Sequence, residues 1–273
     1  MSEVLIQSDI LSARDVRLLR ALNWGFPILR FIFRIRFRDL EKIPNGPCLL
    51  VANHNIGAAI EILALLYAWE SRFHFSYSRP LFGLGHRFAF RIPGLGLFMK
   101  KIGSVPAEYE SAEQVLRSGH SLGIFPGGLW EAARPFSQRR EADFGARRGW
   151  LRIARRAGVP VVPITVSGSH GVNPVLYRSR RAAKLLLLER FLGVKWFPIT
   201  VGQILWAVLF AIVFRDTVPL PVVMFGAFVC FVMTPLIPIW PSAITISVGD
   251  PINSSGDEEL VAREVQEAIR ARL

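Results

Sequence analysis

The chain has 273 residues, of which 51% are hydrophobic, and a formal net charge of +12. This composition excludes a disordered chain, and the two cysteines, Cys48 and Cys230, exclude a disulfide-rich scaffold. It predicts one domain of ordinary size with membrane-associated segments, facing a reducing compartment and without a readable metal site.

Residues 1–33 predict an amphipathic helix that lies at a membrane interface. Within it, the stretch from Val16 to Phe33 mixes Trp24 and several Phe and Leu residues with three arginines. Such a helix can bury its apolar side in a bilayer while its arginines reach anionic headgroups. The alternative is a helix that packs on the protein core.

The next segment predicts a strand, a loop and a helix that together hold a histidine. Residues 34–40 suit an edge strand, and the apolar run 48–52 suits a central strand that ends at Asn53-His54. A helix at residues 58–70 follows and carries Glu61 near its start. Open α/β sheets bind ligands at the carboxyl ends of their strands, so His54 is a candidate general base. The alternative is that His54 only satisfies hydrogen bonds in the loop.

A second strand runs into a glycine-rich turn at residues 122–134, Leu-Gly-Ile-Phe-Pro-Gly-Gly-Leu-Trp-Glu-Ala-Ala-Arg. The backbone N–H groups of such a turn can bind an anion or an oxyanion. Between the two junctions we predict a strand at 73–77 and helices at 92–101 and 108–118. His74, His86 and His120 are expected to be structural or exposed rather than catalytic.

Four blocks of the sequence occur in a characteristic order. They are Asn53-His54, the segment from Ile92 to Pro106, Phe-Pro-Gly-Gly at 125–128 followed by Glu131, and Val159 to Ile164. In this order they resemble the blocks of the glycerolipid (lysophospholipid) acyltransferase superfamily, over about residues 30–170 and again at 244–252. The Pro-Gly-Gly form of the third block is more similar to the diacylglycerol acyltransferase and phytyl ester synthase-like branch than to the enzymes that acylate lysophosphatidic acid.

The first block departs from the family pattern. The family has His, four residues and Asp, but the Asp position is Ala59 here, and six residues separate His54 from the nearest downstream carboxylate, Glu61. On a regular helix, a shift of two residues turns a side chain by about 200°. Glu61 can therefore orient His54 only if residues 56–58 form a longer loop before the helix begins.

The third block departs as well. The family form is Phe-Pro-Glu-Gly-Thr-Arg, whose basic residue is associated with the phosphate of the acceptor. Gly127 and Trp130 stand in place of the charged pair, and Glu131 and Arg134 lie just beyond. This substitution weakens the case for a phosphorylated acceptor.

Charge and hydropathy are unevenly distributed along the second half of the chain. Residues 134–195 contain 14 Lys and Arg against 3 Asp and Glu. Such basicity suits nucleic acid or an anionic bilayer, and we favour the bilayer because apolar segments adjoin the basic section and no nucleic-acid motif accompanies it. Residues 197–214 and 217–240 are uncharged and predict a hydrophobic hairpin, inserted at 196–240, that crosses or enters the membrane.

The chain then predicts a strand at 244–252 that rejoins the sheet, and a final amphipathic helix from Glu258 to Leu273, capped by Ser254, Ser255 or Asp257. The expected fold is therefore α/β, with a mixed, mostly parallel central sheet flanked by helices over residues 34–273. By the positive-inside rule, the domain should face the cytoplasm from the inner (cytoplasmic) membrane.

The resemblance implies transfer of a fatty acyl group from acyl-CoA or acyl carrier protein to the hydroxyl of a lipid acceptor, with no metal or other cofactor. In this interpretation His54 is the general base, Glu61 orients it, and the backbone at Gly127 and Gly128 binds the oxyanion. Further candidates for substrate binding are Asn53, Glu131, Arg134 and Lys101, the last near the phosphates of the donor; a solvated helix end is the alternative for Lys101.

Two rival functions follow from the same residues. A serine nucleophile lacks the Gly-x-Ser-x-Gly elbow, since Ser-Gly-Ser-His at 167–170 does not match it. A catalytically inactive membrane protein that binds lipid or acts as a scaffold on the same fold is motivated by Ala59 and the missing phosphate-binding arginine.

Overall fold

Seven strands form the central sheet of the computed structural model, which describes residues 12–273. A separate pair, β7 and β8, forms a two-stranded antiparallel sheet. The strands are β1 (Arg36–Arg38), β2 (Leu49–Ala52), β3 (Leu81–Gly85), β4 (Ser104–Pro106), β5 (Ser121–Ile124), β6 (Val161–Ser167), β7 (Val175–Ser179), β8 (Phe197–Thr200) and β9 (Thr245–Val248).

The order of the central sheet is β1-β9-β6-β2-β5-β3-β4. The five strands β6, β2, β5, β3 and β4 are parallel to one another. Strand β9 runs antiparallel to β6 and parallel to β1. This confirms the predicted mixed, mostly parallel sheet. Strands β2 and β5 lie side by side, so their carboxyl ends meet at one edge of the sheet.

Helices cover both faces of the sheet. They are α1 (Val16–Ile32), α2 (Ala58–Arg72), α3 (Leu95–Lys101), α4 (Tyr109–Arg117), α5 (Gly128–Ala132), α6 (Gly149–Ala157), α7 (Arg180–Leu185), α8 (Leu188–Leu192), α9 (Val201–Phe214), α10 (Leu220–Met233) and α11 (Glu258–Arg270). Short 3₁₀ turns occur at Leu40–Lys42, Arg87–Arg91, Phe136–Gln138 and Ser169–Val172.

Alternate residues of β2 enter two separate hydrophobic clusters, as expected for a strand with both faces buried. Leu49 and Val51 pack with apolar residues of α4, α6 and α11. Leu50 and Ala52 pack with apolar residues of α1 and α2 on the other face. The strand that leads to His54 is therefore held rigidly in the centre of the domain.

Helix α1 packs on the protein core, as in one of the two predictions for this segment, and it also has an exposed apolar side, as in the other. It begins at the cap Asp15 and packs on the core through Leu19 and Phe26, which are both buried. Trp24 and Phe31 point away from the core and are 87% and 84% exposed. The part of the predicted helix at residues 1–11 lies outside the described residues.

The predicted strand at residues 73–77 is wrong. His74, Phe75 and Tyr77 have left-handed backbone angles, with φ of 55°, 53° and 56°, which no strand accommodates. The aromatic side chains instead fold back on α2, where Phe73 meets Trp69 edge to face. The aromatic run closes the helix, and the strand β3 forms later, at Leu81–Gly85.

The apolar segment at 196–240 forms two packed helices, α9 and α10. The predicted 18-residue helix at 197–214 is wrong in its first four residues, because these form β8 and pair with β7. Thr200 and Gln203 then cap each other reciprocally and start α9, which leaves 14 residues in the helix.

Across residues 12–273, no helix combines the length and the apolarity needed to cross a membrane, so the structure does not support the predicted transmembrane helix. The base of the two-helix segment is attached to the domain by Asn173. Its side chain accepts from the Gly202 N–H and donates to the carbonyls of Pro235 and Ile237.

Candidate active site

A loop of five residues connects β2 to α2 and carries His54. Strand β2 ends at Ala52, and α2 begins at Ala58 with Gly57 as its N-cap. A Cβ atom on Gly57 would lie 3.2 Å from Val172 and 3.4 Å from Ser169, so the loop passes close to the residues that follow β6. Of the three residues predicted to lengthen the loop, residues 56 and 57 do so and Ala58 is already helical, yet Glu61 faces His54.

Glu61 contacts the histidine directly. The His54 Nδ1 atom lies 3.1 Å from Oε2 of Glu61, which is fully buried and also accepts the Asn55 N–H at 3.3 Å. The imidazole stacks on Phe125 with ring centroids 4.4 Å apart, and 17% of its side chain is exposed. An ionised Glu61 stabilises the tautomer with the proton on Nδ1, which leaves Nε2 as the basic nitrogen.

A second buried carboxylate holds the backbone of the same residue. Glu131 of α5 accepts the His54 N–H at 3.0 Å on Oε2. Its Oε1 atom accepts the Asp143 N–H and a guanidinium N–H of Arg134, both at 3.2 Å. Burial raises the pKa of Glu131 to about 7, against the opposing effects of Arg134 and of the His54 N–H.

Arg134 extends this polar network to the other loops of the site. Its Nη2 atom lies 2.9 Å from Oδ1 of Asn55 and 2.8 Å from Nε2 of His170. Because a guanidinium can only donate, His170 must accept through Nε2. Burial, followed by the charges of Arg134, Arg139 and His54, lowers the pKa of His170 to about 3. His170 is therefore a neutral, buried part of the network.

Two asparagines tie the histidine loop to β6. Asn53 donates to the Val166 carbonyl at 2.9 Å and accepts the Val166 N–H at 2.7 Å, as another strand would. Asn55 donates to Oγ of Ser169 at 2.6 Å. Asn53 is fully buried, so its position suits the support of the loop and does not suit contact with a substrate.

The structure does not place all the predicted substrate-binding groups at the surface. The Gly128 N–H donates to the Phe125 carbonyl at 3.0 Å and cannot bind an oxyanion in this arrangement, whereas the Gly127 N–H has no acceptor among the described residues. Arg134 is 2% exposed and engaged in the network. Lys101 lies at the end of α3, 3.4 Å from a carboxylate oxygen of Asp15, and none of the described contacts joins it to His54.

Two other arginines surround the glycine-rich turn. The exposed Arg147 donates through Nη1 to the Pro126 carbonyl at 2.9 Å and to the Gly127 carbonyl at 3.1 Å. Arg178 lies over the ring of Trp130, 3.1 Å from its centroid, and donates to the Trp130 carbonyl. The glycine-rich turn has Trp130 at the position of the basic residue in the family form. Arg147 and Arg178, from later in the chain, supply positive charge there.

Sequence reasoning missed Phe125, Asn55, Ser169 and His170 as parts of the site. The signal was available for the last two, because Ser-Gly-Ser-His follows β6, and β6 neighbours β2 in the sheet. The same rule that placed His54 at a strand's carboxyl end would have placed them beside it. Among residues 12–273, no group of three His, Cys, Asp or Glu side chains is arranged to hold a metal ion.

Fold and site together define an α/β protein with a carboxylate-oriented histidine at the carboxyl edge of its sheet. Residues 34–167 match the family described as Acyltransferase. The crystal structure of the 1-acyl-sn-glycerophosphate (LPA) acyltransferase PlsC from Thermotoga maritima has the same fold, with a TM-score of 0.54 over 93% of this chain and 78% of that one, at 16% identity. About half of the chain is thus similar to the Acyltransferase family, and most of it has the fold of an acyltransferase of known structure.

Two curated relatives are similar over part of their length. An uncharacterized protein of Mycobacterium tuberculosis is 32% identical over 179 residues, which are 64% of this chain and 48% of that protein. The human DGAT1/2-independent enzyme synthesizing storage lipids is 32% identical over 126 residues, 46% of this chain and 37% of the enzyme. The chain thus spans about half the length of the mycobacterial relative that it matches, and less of the human one.

Proposed function

We propose that this protein transfers a fatty acyl group from an acyl thioester to the hydroxyl of a lipid acceptor, with His54 as general base. The contact between His54 Nδ1 and the buried Glu61 carboxylate carries this proposal. It also supports activity over an inactive protein, because Glu61 lies where it can orient His54 although Ala59 carries no carboxylate.

The reaction needs one base and no covalent enzyme intermediate. Nε2 of His54 takes the proton of the acceptor hydroxyl while its oxygen forms a bond to the thioester carbonyl carbon. As the intermediate collapses, the C–S bond breaks and the protonated imidazole returns the proton to the thiolate. The Gly127 N–H is the backbone donor that we assign to the oxyanion, and such a donor contributes about 10²- to 10³-fold.

A small apolar cleft of about 40 Å³ beside His54 has room for only part of an acyl chain. It lies between α2 and strands β3 and β5, and Leu65, Leu66, Leu84 and Ile102 line it. Phe125 lines the same cleft and stacks on His54. An acyl chain in this cleft would bring its carbonyl carbon to the imidazole.

Acyl-transfer assays of the wild-type protein and of site variants test the proposed reaction. The assay follows labelled acyl groups from acyl-CoA and from acyl carrier protein to neutral and phosphorylated lipid acceptors. His54→Ala should lower turnover by about 10²- to 10⁴-fold, and Glu61→Gln should lower it strongly, because the amide can present its N–H to Nδ1. The exposed His74→Ala is the matched control. A His54→Ala protein as active as wild type would refute the proposal and favour a lipid-binding role.

We further propose that the protein works at the surface of a membrane with anionic lipids. Trp24, Ile28 and Phe31 recur at helical spacing on the exposed side of α1. Exposed apolar side chains also cover α9 and α10: Ile204, Leu205, Leu209, Ile212, Leu220, Met224, Phe225, Phe228 and Met233. Arg34 donates to the Pro241 carbonyl, so the end of α1 lies beside the base of the two-helix segment. Apolar surface on this scale marks a site of interaction.

Vesicle binding tests the membrane proposal. Phe225→Asp places a charge on the exposed side of α10 and should weaken co-sedimentation with vesicles that contain anionic lipid. Leu260→Asp changes an equally exposed leucine on α11, away from the apolar segment, and is the control. Equal binding of the two variants would contradict the assignment. Binding that persists without anionic lipid would contradict only the role of the basic residues. The orientation of the domain towards the cytoplasm remains a prediction.

A further inference from the structure

The side chain of Glu131 fills the space that a side chain at position 127 would occupy. A Cβ atom added to Gly127 would overlap the Cβ and the Oε2 atoms of Glu131. The backbone at position 127 therefore aims a side chain at the place where the Glu131 carboxylate lies. A short acidic side chain from position 127 would reach the same place if Glu131 were replaced by glycine, since alanine would keep the overlapping Cβ.

That place is set by what the carboxylate binds. Oε2 of Glu131 accepts the His54 N–H, and Oε1 bonds to Arg134. Arg134 in turn bonds to the side chain of Asn55, the next residue of the loop. The loop that carries the imidazole is therefore held at two successive residues by groups from α5 and the residues after it, neither of which has exposed surface for a substrate.

We propose that Glu131 and Arg134 are positioning residues of the reaction. We further infer that an acidic side chain at position 127 can take over the role of the Glu131 carboxylate. Glu131 and Arg134 fix the backbone at His54 and Asn55, and so keep Nδ1 of His54 against Glu61. This role rests on the proposed function of His54. It replaces the substrate-binding role predicted for the two residues, which their burial does not support.

Moving the carboxylate between the two positions tests this role. Glu131→Ala should lower kcat by about 10²-fold, the loss expected from a misplacement of about 1 Å, with KM little changed. Glu131→Gly also removes the Cβ atom that a side chain at position 127 would overlap, so the double variant Gly127→Asp/Glu131→Gly should be at least about tenfold more active than Glu131→Gly. Glu259→Ala, on the exposed side of α11, is the control for a lost carboxylate. A kcat for Glu131→Ala equal to wild type, or a folded double variant no better than Glu131→Gly, would overturn the proposal.

Loss of Glu131 leaves Arg134 buried without a counter-charge, so Glu131→Ala can fail to fold. The variant Glu131→Leu/Arg134→Met removes both charges and retains the buried volume. Its kcat should also fall about 10²-fold. Wild-type kcat in this folded variant would overturn the proposal.

A measurement without turnover separates this proposal from the proposed function. The protein has five histidines, and the proton resonance of the His54 Nδ1–H group is assigned by its absence in His54→Ala. In the folded Glu131 variants this resonance should shift upfield or broaden, because the bond to Glu61 is disturbed. An unchanged resonance would overturn the positioning role, whereas normal turnover of His54→Ala would refute only the proposed function.

Discussion

The neutral state of buried His170 predicts how stability depends on pH. His170 is 3% exposed, and its Nε2 atom lies 2.8 Å from a guanidinium nitrogen of Arg134. Protonation would place a second positive charge against the first in a buried setting, which is why the pKa of His170 is lowered to about 3. We therefore compare the free energy of unfolding at pH 7 and at pH 5, for wild type and for His170→Gln.

The pKa values of His170 in the folded and unfolded chain determine how much the free energy of unfolding changes with pH. The imidazole has a pKa of about 6.5 in the unfolded chain. Because the pKa of His170 in the folded state is lower, its contribution to stability is fully present above pH 6.5 or so and is lost as pH falls towards 3. Between pH 7 and pH 5 His170 gains a proton only in the unfolded chain, which lowers the free energy of unfolding by about 2 kcal/mol. His170→Gln has no such group and should lose about 2 kcal/mol less.

Urea unfolding followed by tryptophan fluorescence gives both free energies, since the chain has seven tryptophans. Glu131, whose pKa is raised, acts in the opposite direction: its contribution is present at low pH and is lost as pH rises through about 7. It is present in both proteins, so the comparison isolates His170. The exposed His74→Gln is the matched control variant. Equal losses in wild type and His170→Gln would refute the neutral, buried histidine.

Two further predictions concern packing and a buried ion pair. Gly127→Ala should lower the free energy of unfolding by about 1–3 kcal/mol, because the added Cβ overlaps Glu131. Gly46→Ala, whose Cβ would have no atom of residues 12–273 within 4 Å, should change it by less than about 0.5 kcal/mol. Indistinguishable urea midpoints would contradict the overlap. Glu70→Ala should cost about 3–5 kcal/mol, because it leaves the guanidinium of Arg14, 2.7 Å away, buried and uncompensated. A thermal midpoint close to that of wild type would show that the pair is not desolvated.

Local patterns predicted the elements around the site well. The apolar run before Asn53 predicted a buried strand, and the structure has β2 there with both faces covered. The final helix, predicted from Glu258 to Leu273, forms at Glu258–Arg270, and Asp257, one of its three candidate caps, is its N-cap. These features depend on neighbouring residues, so periodicity and capping residues suffice to predict them.

The errors arose where a distant partner decides the local structure. The aromatic run at 73–77 has the composition of a strand but packs against α2 in left-handed turns. Residues 197–200 have the composition of the helix that follows, but β7 pairs with them. Composition cannot distinguish these cases, because the competing contacts come from residues outside any local window.

The sequence by itself determined the class of fold, the order of the blocks and the position of His54 at the end of a buried strand. Only the tertiary structure decided which carboxylate meets the imidazole, and that Glu131 and Arg134 are buried supports of the histidine loop. The physical reason is that hydrogen-bond partners and desolvation depend on how neighbouring strands and loops pack. Spacing along the chain specifies that two groups are near each other, but packing determines whether they meet a substrate or each other.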